Sequence, residues 1–475
     1  MHRIKKIIAI FCIGMMCLLN INVVSAAQKP TGYHRLNKNI ESPKISDNET
    51  SRSRAATARY YNSKELGQVT SVKNQGDTEL CWAFGLTSLG ETSLIKQKMA
   101  KQSVDFSEKH LGYFMYNRQN DALNNTKGDR TKVSGNWKYS GGNAQLAMIG
   151  LTGWYGLANE SVAPFSSKQW KLSDKLAQKD AALLKNGYFL GDKPSASVIK
   201  YYIKKYGSVV MAYHAPEETK EILKYYDTER KSYNCTNSKS AANHIVTIVG
   251  WDDNYSRSLF GKSSKPKKNG AWIIKNSWGK EEGDNGYTYI SYEDKSMCEF
   301  ISGQFVKSSA YKYNYFYDGS TNPAAYSLKK GQQIANVYTA KKGTSKKKET
   351  IKAVNLVTWS TNVKYSIQIY KNPKSGKPSS GKKMLKYAEK GTLKEAGTHT
   401  IDLKQKARFV KGEKFAVVIQ MQSSGHIGCD QSDDYGWISF VNKTAKGQSY
   451  IYVNGRWIDL YAARLTMRIK AYTTI

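Results

Sequence analysis

Between about residue 58 and residue 305 the chain changes its periodicity once, and that order restricts the folds open to it. Helix-like segments come first, after Cys81, Ser107, Asn143 and Ser195. The last is the clearest, with Ser195 as an N-cap candidate, an apolar run at 198–203 and Gly207 as the stop. Strand-like runs then take over at 208–213, 244–251, 271–275 and 287–292. Helices first and strands later predict an α+β domain of two subdomains. Polar insertions at 217–240 and 256–268 read as surface loops. From 311 to 475 only short β-patterned runs remain, such as 365–370, 415–419 and 465–470, divided by Gly, Pro and Lys-rich turns. That stretch predicts an all-β sandwich or jelly roll.

The first 26 residues stand outside this plan. Arg3, Lys5 and Lys6 precede an apolar run at 7–19, and Val24-Ser25-Ala26 offers small residues for cleavage. This reads as a secretory signal peptide, too short to span a bilayer. No second long apolar run follows, so no transmembrane segment is expected. The chain is expected to be secreted and held non-covalently, if at all, at a cell surface. Residues 27–57 are polar and include Arg52 and Arg54; they read as a short pro-segment or a linker. The formal net charge is +35. Outside the cell this favours anionic wall polymers, membrane surfaces or acidic proteins. No motif interleaves aromatic and basic residues, so nucleic acid is not an expected partner.

Cys12 and Cys17 belong to the signal peptide, which leaves Cys81, Cys235, Cys298 and Cys429. Four cysteines do not make a disulfide scaffold for a chain this long, although Cys235 and Cys298 could pair. Cys81 opens an apolar helix-like run in Gln75-Gly76-Asp77-Thr78-Glu79-Leu80-Cys81-Trp82-Ala83-Phe84. A cysteine there faces unpaired N–H groups and the positive end of the helix dipole, and both favour the thiolate. Gln75 can return a side-chain amide to the same point, where two donors would stabilise an oxyanion. A buried structural cysteine is the alternative. A nucleophile needs a base, and His110, His214 and His244 are available. His244 opens a buried strand. The 271–275 strand ends at Asn276, which can accept from an imidazole and fix its tautomer, with Trp278 positioned to exclude water.

Together these stretches resemble the papain-like cysteine peptidases over about residues 58–303. Gln75-Gly76 with Cys81-Trp82-Ala83-Phe84 resembles the nucleophile motif. Asp105-Phe106-Ser107-Glu108 resembles the start of the next helix. Ser140-Gly141-Gly142-Asn143 resembles the glycine pair that holds extended substrate. Asn243-His244, Asn276-Ser277-Trp278-Gly279 and Gly283-Asp284-Asn285-Gly286-Tyr287 resemble the base, orienting and following motifs. The resemblance implies a papain-like domain (58–305) in which Cys81 attacks the scissile carbonyl and His244 pairs with the thiolate. Asn276 would orient His244, and Gln75 with the Cys81 N–H would form the oxyanion hole. Gly141, Gly142 and Asn143 would bind substrate, and Trp82 and Trp278 would support the site. No metal or cofactor is implied.

Departures from the family accompany these matches. Thr78 and Tyr139 stand where the family often has a disulfide pair. Glu79 and Leu80 replace small residues, and Glu79 brings negative charge toward Cys81. Glu282 replaces a second tryptophan. The tail resembles, through 334–338, 351–354, 448–452 and 455–459, the lectin-like β-domain of secreted peptidases from Gram-positive bacteria. The function expected is a secreted cysteine endopeptidase acting on protein or peptide substrates, with 311–475 attaching it to cell-wall polymers or glycans. The alternative is a surface-binding adhesin with weak or vestigial peptidase activity.

Overall fold

The computed structural model describes residues 31–36, 38–44, 58–118 and 120–475. The expected signal peptide, and residues 45–57 of the polar segment, lie outside the described residues.

Helices form where the four expected starts fall: Cys81–Lys96, Glu108–Tyr116, Ala144–Leu151 and Ala196–Tyr206. Three have side-chain caps. Ser107 accepts from the His110 N–H, Asn143 from those of Gln145 and Leu146, and Ser195 from that of Val198. Gly207, at φ 100°, ends the last helix in a conformation costly for other residues. The Cys81–Lys96 helix differs. Its N-cap is Leu80, no side chain caps it, and it is buried from Cys81 to Leu94. It is covered on all sides because it threads the core, with His244–Asp252 and Cys298–Lys307 packed against it.

The later strands run Val209–Tyr213, His244–Asp252, Ala271–Lys275 and Tyr287–Ser291, paired antiparallel in that order. The 217–240 insertion is not all loop. It carries the helix Thr219–Tyr225 and two two-residue strands, one of which extends the sheet beside Tyr287–Ser291. The 256–268 insertion consists of short turns.

The second domain is a sandwich. In one layer Lys414–Met421 lies between Val363–Lys371 and Gln333–Thr339, and Ser449–Val453 follows. In the other, Glu349–Thr358 lies between Ile469–Thr474 and Ala396–Phe409. Val354 and Leu356 meet Ile367, Ile369, Val417 and Ile419 in a common core. The run expected at 465–470 is interrupted at Arg468, which turns its guanidinium inward to Asp318 at 2.9 Å.

The two domains share one sheet, which the periodicity did not reveal. Ala182–Gly191 pairs with Cys298–Lys307 on one side and with Ala396–Phe409 on the other. A domain edge that would otherwise expose unpaired N–H and C=O groups is thereby closed. The approach is tight at Gly397, where φ is 138° and a Cβ would stand 1.9 Å from the Gly187 carbonyl oxygen. A second pairing joins Arg130–Val133 to Ile438–Val441. A buried carboxylate forms a third tie: Asp129 accepts from the Gly319 and Lys443 N–H groups at 2.9 and 2.7 Å, and next to Gly319, within the second domain, Asp318 takes both Arg468 and Lys470.

Candidate active site

The uncapped start of the Cys81–Lys96 helix sets the nucleophile. Because no side chain occupies its N-terminus, the Cys81 sulfur faces the Ile245, Trp82 and Cys81 N–H groups, which favour the thiolate and oppose the effect of burial. Ile245 follows His244 and shares a core cluster with Cys81, so the strand that carries the imidazole packs at this helix start. His244 Nε2 is 2.9 Å from Asn276 Oδ1. Asn276 Oδ1 also accepts from the Ser277 N–H at 2.8 Å, which orients the amide so that Nε2 carries the proton. His244 Nδ1 has no hydrogen-bond partner among the described residues. Trp278 stacks on the imidazole at 4.3 Å and 18°.

Gln75 approaches from the preceding loop. Its N–H donates to the Ser277 carbonyl and its Oε1 accepts from the Ser277 hydroxyl, so the orienting motif also places the oxyanion donor. The Asp105–Glu108 stretch has a structural role beside it. Lys73 is held by Asp105, Glu108 and Glu91 at 2.6, 2.8 and 3.0 Å, which pins the Gln75 loop to two helices. The absent disulfide is replaced by polar ties. The Glu79 N–H donates to the Lys138 carbonyl, and the Tyr139 hydroxyl to Asp77 at 2.9 Å. Cys235 and Cys298 are both free.

The other two histidines do not join the site. His110 Nε2 meets the Leu176 carbonyl, and His214 bridges Glu221 and the Ala241 carbonyl.

Residues 31–36, from the segment expected to be a pro-segment or linker, lie in this cleft. The Gly142 N–H donates to the Gly32 carbonyl at 2.7 Å and its carbonyl accepts from the His34 N–H at 2.8 Å. Tyr33 and Gly142 thus form a parallel bridge. Gly142 has no room for a side chain, since a Cβ would stand 2.4 Å from Trp82 Nε1. Gln75 Nε2 donates to the Thr78 carbonyl at 2.7 Å and also lies 3.4 Å from the Thr31 carbonyl oxygen. Asn143 works on both sides: its Oδ1 caps a helix, and its Nδ2 donates to the His34 carbonyl and to Glu299, both at 2.8 Å.

Tyr33 is buried against Cys298, at 3.9 Å, and Glu299. Glu299 also accepts from the Leu36 N–H. The sequence reading did not include Glu299 in the site, and no local motif marks it. Burial pushes its carboxyl up. Burial likewise pushes the Cys81 thiol up to about 12, aided by Glu79, and lowers His244 to about 4, against the bond to Asn276. With residues 31–36 in place, both groups are therefore neutral at pH 7.

This geometry agrees with what known proteins show. The chain belongs to the papain family of cysteine proteases, whose family model matches residues 57–308, and a lectin-like domain model matches 311–473. Among solved structures it is similar to the clostridial cysteine protease Cwp84 after propeptide cleavage. The two are 25% identical with a TM-score of 0.72, over 87% of this chain and 99% of that one. The crystal structure of the protease and lectin-like domains of Cwp84, a surface layer associated protein of Clostridium difficile, has the same fold. It gives a TM-score of 0.74 at 24% identity, over 94% and 93% of the two chains. Among curated proteins it resembles a cathepsin L-like proteinase of Fasciola hepatica, 27% identical over 240 residues, 50% of this chain and 62% of the relative. Procathepsin L of Felis catus is 27% identical over 243 residues. The chain spans about three-fifths of the length of these curated relatives.

Proposed function

We propose that the protein is a secreted cysteine endopeptidase, and that residues 31–44 are an inhibitory pro-segment lying along its cleft. The observation that carries this reading is the pairing of His244 Nε2 with Asn276 Oδ1, in a domain that also sets a cysteine at an uncapped helix N-terminus and a peptide carbonyl 3.4 Å from Gln75 Nε2. Once residues 31–44 leave, water and substrate reach Cys81 and the burial that keeps it neutral is relieved. The Cys81 proton then passes to His244 Nδ1. The thiolate attacks the scissile carbonyl carbon, and the oxyanion is met by the Gln75 side-chain N–H and the Cys81 backbone N–H. His244 gives its Nδ1 proton to the leaving amine, leaving a thioester. Water, deprotonated by His244, then attacks the thioester and releases the acid.

Endopeptidase action is supported by the length of chain the cleft accepts. Beyond Gly142, residues 34–36 and 38–44 continue along the surface, with Leu36, Ile40 and Pro43 buried. The parallel run at Gly142 is the reverse of a productive antiparallel substrate, which fits a segment that is held without being cut. The second domain is proposed to keep the enzyme at anionic wall polymers or glycans, in line with the net charge of +35 and its likeness to lectin-like domains.

The test is digestion of a denatured protein by the mature enzyme, with products identified by mass spectrometry. Internal cuts lost completely in Cys81→Ala, with the thermal unfolding of that variant unchanged, support the reading. Cuts that persist in Cys81→Ala and resist iodoacetamide overturn it.

A further inference from the structure

The pro-segment touches both domains, and one of its contacts comes from the far end of the chain. The His34 imidazole lies on the Trp437 indole, with ring centroids 4.1 Å apart and planes 16° from parallel. Trp437 belongs to the second domain. Its place is rigidly set: it directly precedes Ile438–Val441, which pairs with Arg130–Val133 of the first domain. The Ser134 N–H donates to the Trp437 carbonyl at 3.1 Å, and the Ser134 hydroxyl to the Gly436 carbonyl at 2.8 Å. The His34 ring is covered on another side by Gly141 and reaches the Ser140 carbonyl. Further on, the Thr361 hydroxyl donates to Glu41 at 3.1 Å, and Lys38 stands 5.6 Å from the Trp359 ring. The second domain therefore forms one wall of the cleft.

An extended chain presents successive side chains to opposite sides. Tyr33, opposite Gly142, points to Cys298 and Glu299, and the next residue away from Cys81 points to Trp437. A substrate laid antiparallel on Gly142 meets the same two sides. We propose that Trp437 is a substrate-specificity residue, contributed by the lectin-like domain. It selects a flat side chain (imidazole, aromatic ring or guanidinium) at the position one residue further from the scissile bond than the residue opposite Gly142. The site has one flat apolar wall, one backbone acceptor at Ser140 and a glycine floor. A planar group with an N–H donor fits these three features together, and a branched aliphatic group does not. The inference rests on the peptidase reading given above.

The experiment uses the full mature enzyme and a fluorogenic tripeptide series, acetyl-X-Tyr-Z-aminocoumarin. X is His, Phe, Arg, Leu or Gly, and Z is an equimolar mixture. The wild type is expected to prefer His, Phe and Arg over Gly by about five-fold or more in kcat/KM, the size of one aromatic stack. Trp437→Phe keeps most of that ratio, and Trp437→Leu brings it close to one. Equal rates for every X in the wild type, or the same ratios in Trp437→Leu, overturn the proposal while leaving the peptidase reading intact. Failure to cleave any member or any denatured protein counts against the peptidase reading instead. The contact is then tested without catalysis. In the intact Cys81→Ala chain, His34→Ala and Trp437→Leu should each speed limited trypsin cleavage at Arg35 and Lys38 several-fold, with Trp437→Phe near the parent. No change in either variant overturns the proposal.

Discussion

The cleft and the domain junction both bury polar groups, and they bury them differently. On the second domain's side of the junction, opposite charges meet: Asp318 lies between Arg468 and Lys470, all three with at most 1% of the side chain exposed. In the cleft, Cys81 and His244 are buried without a counter-ion, and burial drives both to their neutral forms. The junction is arranged to stay as it is. In the proposed function, removal of residues 31–36 and 38–44 is what would let the charged forms of Cys81 and His244 become favourable. Burial beside the junction thus compensates charge, and burial in the cleft suppresses it.

Breaking the charge cluster beside the junction should have the largest effect. Asp318→Ala leaves Lys470 buried without its carboxylate and Arg468 with only Asp430, at 3.5 Å, and should cost about 3–5 kcal/mol. Denaturant unfolding of the full chain checks it, and a loss under about 1 kcal/mol would mean that the charges are not desolvated as a group. Vacating the cleft comes next. Tyr33→Ala removes a buried ring and should loosen residues 31–44 by about 3 kcal/mol. The readout is the rate at which iodoacetamide labels Cys81 in the intact chain, expected to rise about a hundred-fold. An unchanged rate would show that Tyr33 does not hold the cover. Asn276→Ala in the mature enzyme frees the imidazole to rotate and should lower kcat roughly 10²-fold, the low end of what a placed general base supplies. Retained kcat would mean that the stack on Trp278 suffices to orient His244.

The smallest effect concerns pH. Burial lowers the pKa of His34 in the covered state below its free value. Closure therefore favours neutral His34, and its contribution is complete above about pH 6.5 and is lost as pH falls below that value. Glu299, whose carboxyl is pushed up, works in the opposite sense. The comparison of wild type with His34→Asn isolates the histidine. Cys81 labelling should accelerate between pH 7 and pH 5 by a few-fold more in the wild type. Parallel pH profiles would remove His34 from the account.

Most of the chemistry was legible along the chain because local rules place it. An uncapped helix start exposes N–H groups to Cys81, a strand start aims His244, and a strand end presents Asn276. Each depends on a few neighbouring residues whose types the reaction restricts, and Ser107, Asn143 and Ser195 announced their helices by the same local logic. Glu299 and Trp437 had no such signal. Each is an ordinary residue in or beside a strand, and its meaning comes from which strand lies next to it.

The sequence by itself determined the two fold classes, the helix start at Cys81, the strand start at His244, the strand end at Asn276, and the glycine pair that takes an extended chain. Only the tertiary structure decided that residues 31–36 fill the cleft, that one sheet runs through both domains, and that the second domain walls the site. The reason is the range of the interactions. Capping, turns and periodicity act over a few residues, whereas the Ala182–Gly191 strand could have met its edge partner anywhere in the chain. Its pairing with Ala396–Phe409 was settled by packing and by the close approach that Gly397 permits.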